Sequence, residues 1–119
     1  MIQVNELRIG NWVKYQFHDR LKKVKICSND FKILDDKNTN DYKERYSPIP
    51  LTEQWLIDFG AKEWKHIRYK TFKLGILMIG STDNMKSFEI VDLYMKPIKY
   101  VHQLQNLYFS LTGEELNKQ

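Results

Sequence analysis

Residues 62–73 read KEWKHIRYKTFK, where Lys62, Lys65, Arg68, Lys70 and Lys73 interleave with the rings of Trp64, Tyr69 and Phe72. Lysine and arginine neutralise phosphates and release their counterions. Aromatic faces stack on unpaired bases. The two residue types together are therefore suited to nucleic acid. A second cluster, Arg20, Lys22, Lys23 and Lys25, adds four cations earlier in the chain. If both clusters lie on one face of a sheet or small barrel, they form a continuous basic patch. We take Arg20, Lys22, Lys23, Lys25, Lys62, Trp64, Lys65, Arg68, Tyr69, Lys70 and Lys73 as the candidate contact residues. The competing reading is a solvated outer face whose aromatics turn inward, and the alternation fits it well, because charged residues default to solvent.

The other chemistry-bearing residues do not converge in the sequence. His18, His66 and His102 fall in different segments, without the i, i+4 spacing of a helical metal site or a cysteine pair beside them. Cys27 is the single cysteine. It follows the apolar Ile26, and the expectation is a small buried side chain rather than a nucleophile. His102 is expected at a cap or on the surface. The five glycines are isolated, so no phosphate-cradling loop is present. Asp35, Asp36 and Asp41 lack the spacing and the glycine of a calcium loop, and nothing marks Glu89 and Asp92 as an acid–base pair. The residues predict neither an enzyme, a bound metal nor a cofactor.

The elements that would position the two clusters are legible in outline. In WVKYQF, Val13, Tyr15 and Phe17 alternate with Lys14 and Gln16, a half-buried strand pattern. Gly10-Asn11 before it tolerates a positive-φ turn. HDR at 18–20 suits a hairpin connection into LKKVKIC, and FKIL at 31–34 reads as a short third strand. Residues 35–47 are polar and turn-rich, an expected loop. PIPLTEQWLIDFGA predicts a helix with Thr52 as N-cap, Trp55, Leu56 and Phe59 on its core face, a Leu51–Leu56 staple and Gly60 as the stop. HIRYKTFKLGILMI reads as a strand with Phe72, Leu74, Ile76 and Met78 on one face. GSTDNMK reads as a hairpin loop, and SFEIVDLYM as the returning strand, which Pro97 breaks or places at an edge. In YVHQLQNLYFSLTGEEL, Val101, Leu104, Leu107, Tyr108 and Leu111 make one helical stripe that should seal a core, with Gln103, Gln105, Asn106 and Ser110 largely elsewhere and Phe109 off its centre.

The fold class expected is α+β: an antiparallel sheet or small SH3-like barrel of about five strands, with helices near 52–59 and 100–112 packed on it, in one domain over residues 1–119. With 42% hydrophobic and 29% charged residues, the composition is that of a globular chain. A lone cysteine fits a reducing compartment, the first residues carry no secretory pattern, and GILMIG is too short to span a bilayer. The expected location is the cytoplasm, with no membrane association. The net charge of +4 is uneven, since residues 62–99 hold eight Lys/Arg against four Asp/Glu. It favours an acidic protein surface or a phosphate backbone as partner.

Three blocks, NELRIGNWV, PIPLTEQWLIDFGA and IKYVHQLQNLYFSLTGEEL, cover about a third of the chain. In that order they resemble a group of small proteins encoded by phages, prophages and bacterial mobile elements. The group has no assigned activity, so the resemblance implies an origin and no catalytic residue. With size and charge it implies a non-enzymatic accessory protein that binds and blocks a host protein or ribonucleoprotein complex. The concrete form expected is an inhibitor of an RNA-guided CRISPR nuclease in the bacterial cytoplasm. A stand-alone module binding RNA or DNA through residues 62–73 and the 20–25 cluster is the alternative.

Overall fold

The computed structural model describes residues 4–35, 45–64, 70–82, 87–91 and 97–118. The chain is α+β, and its strands divide between two antiparallel sheets. The first sheet has the order β2-β1-β3, with β1 at Trp12–Phe17, β2 at Arg20–Lys25 and β3 at Tyr46–Ser47. The second has the order β4-β5-β6-β7, with β4 at Lys62–Trp64, β5 at Thr71–Leu74, β6 at Leu77–Thr82 and β7 at Ser87–Ile90. Helices α1 (Ser28–Asp35), α2 (Glu53–Asp58) and α3 (Val101–Thr112) and a 3-10 turn at Val4–Glu6 complete the elements. By backbone proximity the chain forms two compact units, residues 1–49 with 100–106, and residues 50–99 with 107–119.

In the first unit, β1 and β2 form a hairpin with Phe17 opposite Arg20 and His18-Asp19 as its two-residue loop. Two-residue hairpin loops favour positive φ, and His18 supplies it at φ 52. The side chain of Gln16 donates to the His18 carbonyl at 2.7 Å, which braces the loop. Leu7, Val13, Ile26, Leu34 and Tyr46 form the buried cluster beneath the sheet, with Tyr15 and Val24 packed against it.

Residues 31–34 are helical, not a strand. Cys27 occupies the N-cap position of α1, and its N–H donates to the Asp30 carboxylate at 2.9 Å. An acidic group at the third helical position that reaches back to the cap is one arm of a capping box. That arm overrides the apolar pair in FKIL. The polar loop expected over 35–47 falls mostly on 36–44, outside the described residues.

The second unit contains α2 as expected. Thr52 is the N-cap, its side chain accepts from Trp55 N at 3.3 Å, and Trp55, Leu56, Phe59 and Leu51 are buried. Gly60 follows at φ 94. The reading of residues 66–79 as one strand fails at Gly75-Ile76, the two-residue turn between Leu74 and Leu77. The turn puts Phe72, Leu74, Leu77 and Ile79 on the buried face and leaves Ile76 70% exposed, with Met78 on the opposite face. Gly75 is required there: its φ is 58, and a Cβ would lie 2.5 Å from the Tyr108 hydroxyl.

Helix α3 follows its expected stripe only at its N-terminal end. Val101 and Leu104 are fully buried, whereas Leu111 is 47% exposed and Phe109 is exposed. Two residues assigned to the polar side or to the surface are buried instead, Gln105 and His102. Gln105 replaces a missing backbone partner. Its Oε1 accepts from Trp12 N at 2.8 Å and its Nε2 donates to the Gly10 carbonyl at 3.1 Å. Beside it, Asn106 Oδ1 accepts from Arg8 Nε at 2.9 Å and Asn11 Nδ2 at 2.8 Å, and its amide donates to the Glu6 carbonyl. Gly113, at φ 74, ends the helix as expected.

Replacing Gln105 with leucine keeps the volume and strands the Trp12 N–H and the Gly10 carbonyl. Each orphaned group costs about 1–3 kcal/mol. Urea denaturation should show Gln105→Leu losing about 3 kcal/mol, whereas Ser110→Ala on the exposed side of α3 should change stability by less than about 0.5 kcal/mol.

Candidate functional site

The two basic clusters are on different sheets in different units. In the second unit, Lys62 and Lys73 are exposed and directly opposite each other across β4 and β5. Lys70 is already engaged, 3.3 Å from the Glu53 carboxylate at the start of α2. Phe72, whose ring the sequence pattern paired with these cations, is fully buried. Lys65, Arg68 and Tyr69 lie outside the described residues, as does His66. Trp64 is placed in register opposite Thr71.

The 20–25 cluster is more concentrated. Arg20, Lys22, Lys23 and Lys25 are exposed on β2, an edge strand of its sheet. Neither β1 nor β2 contains an acidic residue, and Asp19 in the loop is the nearest carboxylate in sequence. Strand pleating divides the hairpin's side chains into two faces. Trp12, Lys14, Gln16, Leu21, Lys23 and Lys25 share one, and Lys14 stands directly opposite Lys23. Like charges in that relation repel. Val13, Tyr15, Phe17, Arg20, Lys22 and Val24 share the other. Burial on this second face falls steadily toward the tip, from Val13 at 0% to Phe17 at 50% exposed. Leu21 on the first face is 60% exposed. Sequence alternation identified the cations and missed Phe17, because the pattern grouped it with Val13 and Tyr15 as a core residue. The signal available was its position immediately before the loop.

Behind the hairpin are two titratable groups that are not surface groups. Asp30 accepts from the Tyr46 hydroxyl at 2.6 Å and from the Cys27 thiol at 3.1 Å, as well as from Cys27 N. Partial burial alone would raise the Asp30 pKa, but the hydrogen bonds from Tyr46 and Cys27 outweigh it and hold the carboxyl below its usual value. Burial and the same Asp30 contact push the Tyr46 hydroxyl up. Cys27 itself is exposed, contrary to the expected burial, because the N-cap position lies at the helix mouth rather than beneath it.

The ring of His102 is buried, and neither of its nitrogens has a hydrogen-bond partner among the described residues. Its Nε2 lies 3.5 Å from a Glu6 carboxylate oxygen, beyond good hydrogen-bond length, and the Tyr100 ring lies parallel to it at 5.9 Å. Burial lowers the His102 pKa, and the Glu6 carboxylate offsets part of that effect. Among the described residues no three His, Cys, Asp or Glu side chains gather into a metal-binding group, and no helix is long and apolar enough to cross a membrane.

No protein-family model matches this chain, and neither a curated protein nor a solved structure matches it.

Two measurements follow from these groups. Folded His102 resists protonation, so the unfolded chain takes up the proton first and stability falls as pH drops below about 6.5. The urea midpoint should decline between about pH 7 and about pH 5.5, and His102→Leu should flatten that decline. Asp30 adds a loss only at lower pH, below about 3.9. A thiol reagent should modify Cys27 in the folded protein without urea; complete protection in the native state would contradict the exposed placement.

Proposed function

We propose that this is a non-enzymatic docking protein that engages an anionic macromolecular partner through its β1–β2 hairpin. The observation that carries the reading is the charge on a short β-ribbon: Lys14, Arg20, Lys22, Lys23 and Lys25, with no acidic residue on either strand. Gathering like charges on one ribbon costs folding free energy. A partner that supplies the opposite charge recovers that cost on binding and accelerates encounter. The exposed Phe17 and Leu21 add apolar contact area at the same tip. The resemblance of the three sequence blocks to phage and mobile-element proteins supports a bacterial host as the partner's setting. Its concrete form is an RNA-guided CRISPR nuclease, a ribonucleoprotein whose exposed guide RNA supplies the anionic surface that this small domain would cover.

The test uses the full chain and a guide-loaded CRISPR nuclease from a host of such elements. Co-elution in size-exclusion chromatography and loss of target cleavage at stoichiometric amounts are the expected results. Replacing Arg20, Lys22 and Lys25 together with glutamate should abolish both and leave the melting temperature within a few degrees of wild type, since all three are exposed. Full cleavage with the wild-type protein present would remove the nuclease from consideration. Retention on a polyanion column that is insensitive to salt, or to the triple substitution, would remove the hairpin.

A further inference from the structure

We propose that the hairpin face carrying Tyr15, Phe17, Arg20 and Lys22 binds single-stranded nucleic acid, with a base stacked on Phe17 and phosphates held by Arg20 and Lys22. The inference rests on the docking reading above and names the ligand chemistry of that site.

The antiparallel register sets the geometry. Phe17 is directly opposite Arg20, and Tyr15 is directly opposite Lys22. Directly opposed residues project to the same side of the sheet with Cβ atoms about 4.5–5.5 Å apart. At the outer end of this face the open ring of Phe17 lies beside Arg20, while Tyr15, beside Lys22, is packed on the core and supports it. An unpaired strand has the matching layout, with bases along one side of its backbone and phosphates along the other.

The rings are fixed and partly open. Tyr46 meets Tyr15 edge-on with centroids 4.9 Å apart, Tyr15 lies 6.5 Å from Phe17, and His18 meets Phe17 edge-on at 4.6 Å. The Tyr15–Phe17 distance is close to the two-residue repeat of a strand, about 6.8 Å. Tyr46 and Tyr15 anchor the row in the core, and the exposed part of Phe17 lies at its outer end. A half-exposed phenylalanine beside a turn gains little from folding alone. A stacked base would cover it.

Arg20 and Lys22 are exposed, and among the described residues neither forms an ion pair. Their charges are available to phosphate. A duplex buries its base faces in its own stack, so it would leave the Phe17 ring without a partner. An acidic peptide would satisfy the cations and likewise leave that ring uncovered. Charge alone does not distinguish these ligands, and the open ring does.

The experiment compares three labelled probes by fluorescence anisotropy at low salt: an unpaired oligonucleotide of about 12 nucleotides, within the usual site size, the same sequence as a duplex, and a polyglutamate peptide. The unpaired strand should bind about tenfold or more tighter than either other probe. Phe17→Ala should weaken that binding about tenfold, and Phe17→Trp should retain it. Arg20→Ala with Lys22→Ala should lower the slope of log affinity against log salt by about 1.4. Circular dichroism melting of each variant verifies that it folds, and Phe17→Trp, which keeps an aromatic face, separates loss of stacking from loss of the fold. Binding to the duplex or to polyglutamate as tight as to the single strand would overturn the inference and leave the docking reading standing. Unchanged affinity in Phe17→Ala would do the same. Absence of binding to all three probes would also overturn the inference, and the docking reading would then rest on the nuclease test alone.

Discussion

The hairpin depends on a side-chain amide standing in for a strand. At the root of β1, the Trp12 N–H and the Gly10 carbonyl are satisfied by Gln105, 93 and 95 residues away in sequence. Gln105 has no exposed surface. A buried amide is stabilising only when both of its ends are used, and here both are. Asn106 extends the contact to Arg8, Asn11 and the Glu6 carbonyl. The turn at Arg8–Asn11 closes on itself through Arg8 N to Asn11 Oδ1 at 2.7 Å and Asn11 N to the Arg8 carbonyl at 3.1 Å. One helical turn of α3 thus fixes where the first strand begins and the register in which it enters its sheet. The placement of Phe17 beside Arg20 and of Tyr15 beside Lys22 follows from that register.

This network also shows why sequence periodicity is incomplete evidence about α3. A helix period sorts residues by hydropathy, and glutamine and asparagine sort to solvent. What brings them inside is the set of main-chain groups left without partners in a distant segment, which periodicity cannot register. The glycine in the turn and the absence of a strand beside Trp12 on the side away from β2 create that demand. By contrast, α2 was legible to its caps. Thr52, the Leu51–Leu56 spacing and Gly60 act through bonds a few residues long, so their consequences stay within the window that a sequence pattern covers. The misreading at residues 31–34 has the same origin in reverse: the Cys27–Asp30 cap is local, but cysteine is not among the residues that announce an N-cap. At Gly75 a glycine inside an alternating apolar run was read as part of a strand, and it is the turn that inverts the alternation.

The candidate site divides in the same way. Charge is a property of composition, and the cations of β2 were visible without a structure. Which ring accompanies them is a property of pairing. Residues 62–73 place aromatics next to lysines in sequence, yet pleating sends Phe72 to the buried face and leaves Lys62 and Lys73 together on the other. On β1 and β2 the partners are close only across the strands, so Phe17 and Arg20 share a face although the loop separates them. Adjacency along a strand separates side chains, and adjacency across strands joins them.

The root and the tip of the hairpin differ in kind, and the structure separates them by position. At the root, Val13, Ile26 and Tyr46 are buried and the polar groups are paired, so the strands are anchored where apolar area and hydrogen bonds are dense. Toward the tip, burial is lost, and Phe17 and Leu21 expose apolar surface. Each of these tip features is unfavourable to the isolated chain, and each lies where a local loss of order would leave the root intact. A two-residue loop keeps the tip from becoming a long mobile excursion, with His18 held at positive φ and its carbonyl bonded to Gln16. The unfavourable groups are thereby presented in a fixed arrangement, which reduces the ordering cost a partner would meet on binding. Under the docking reading proposed above, the cations and the open ring of Phe17 on a rigid support are what a partner would cover, since the fold itself gains little from them.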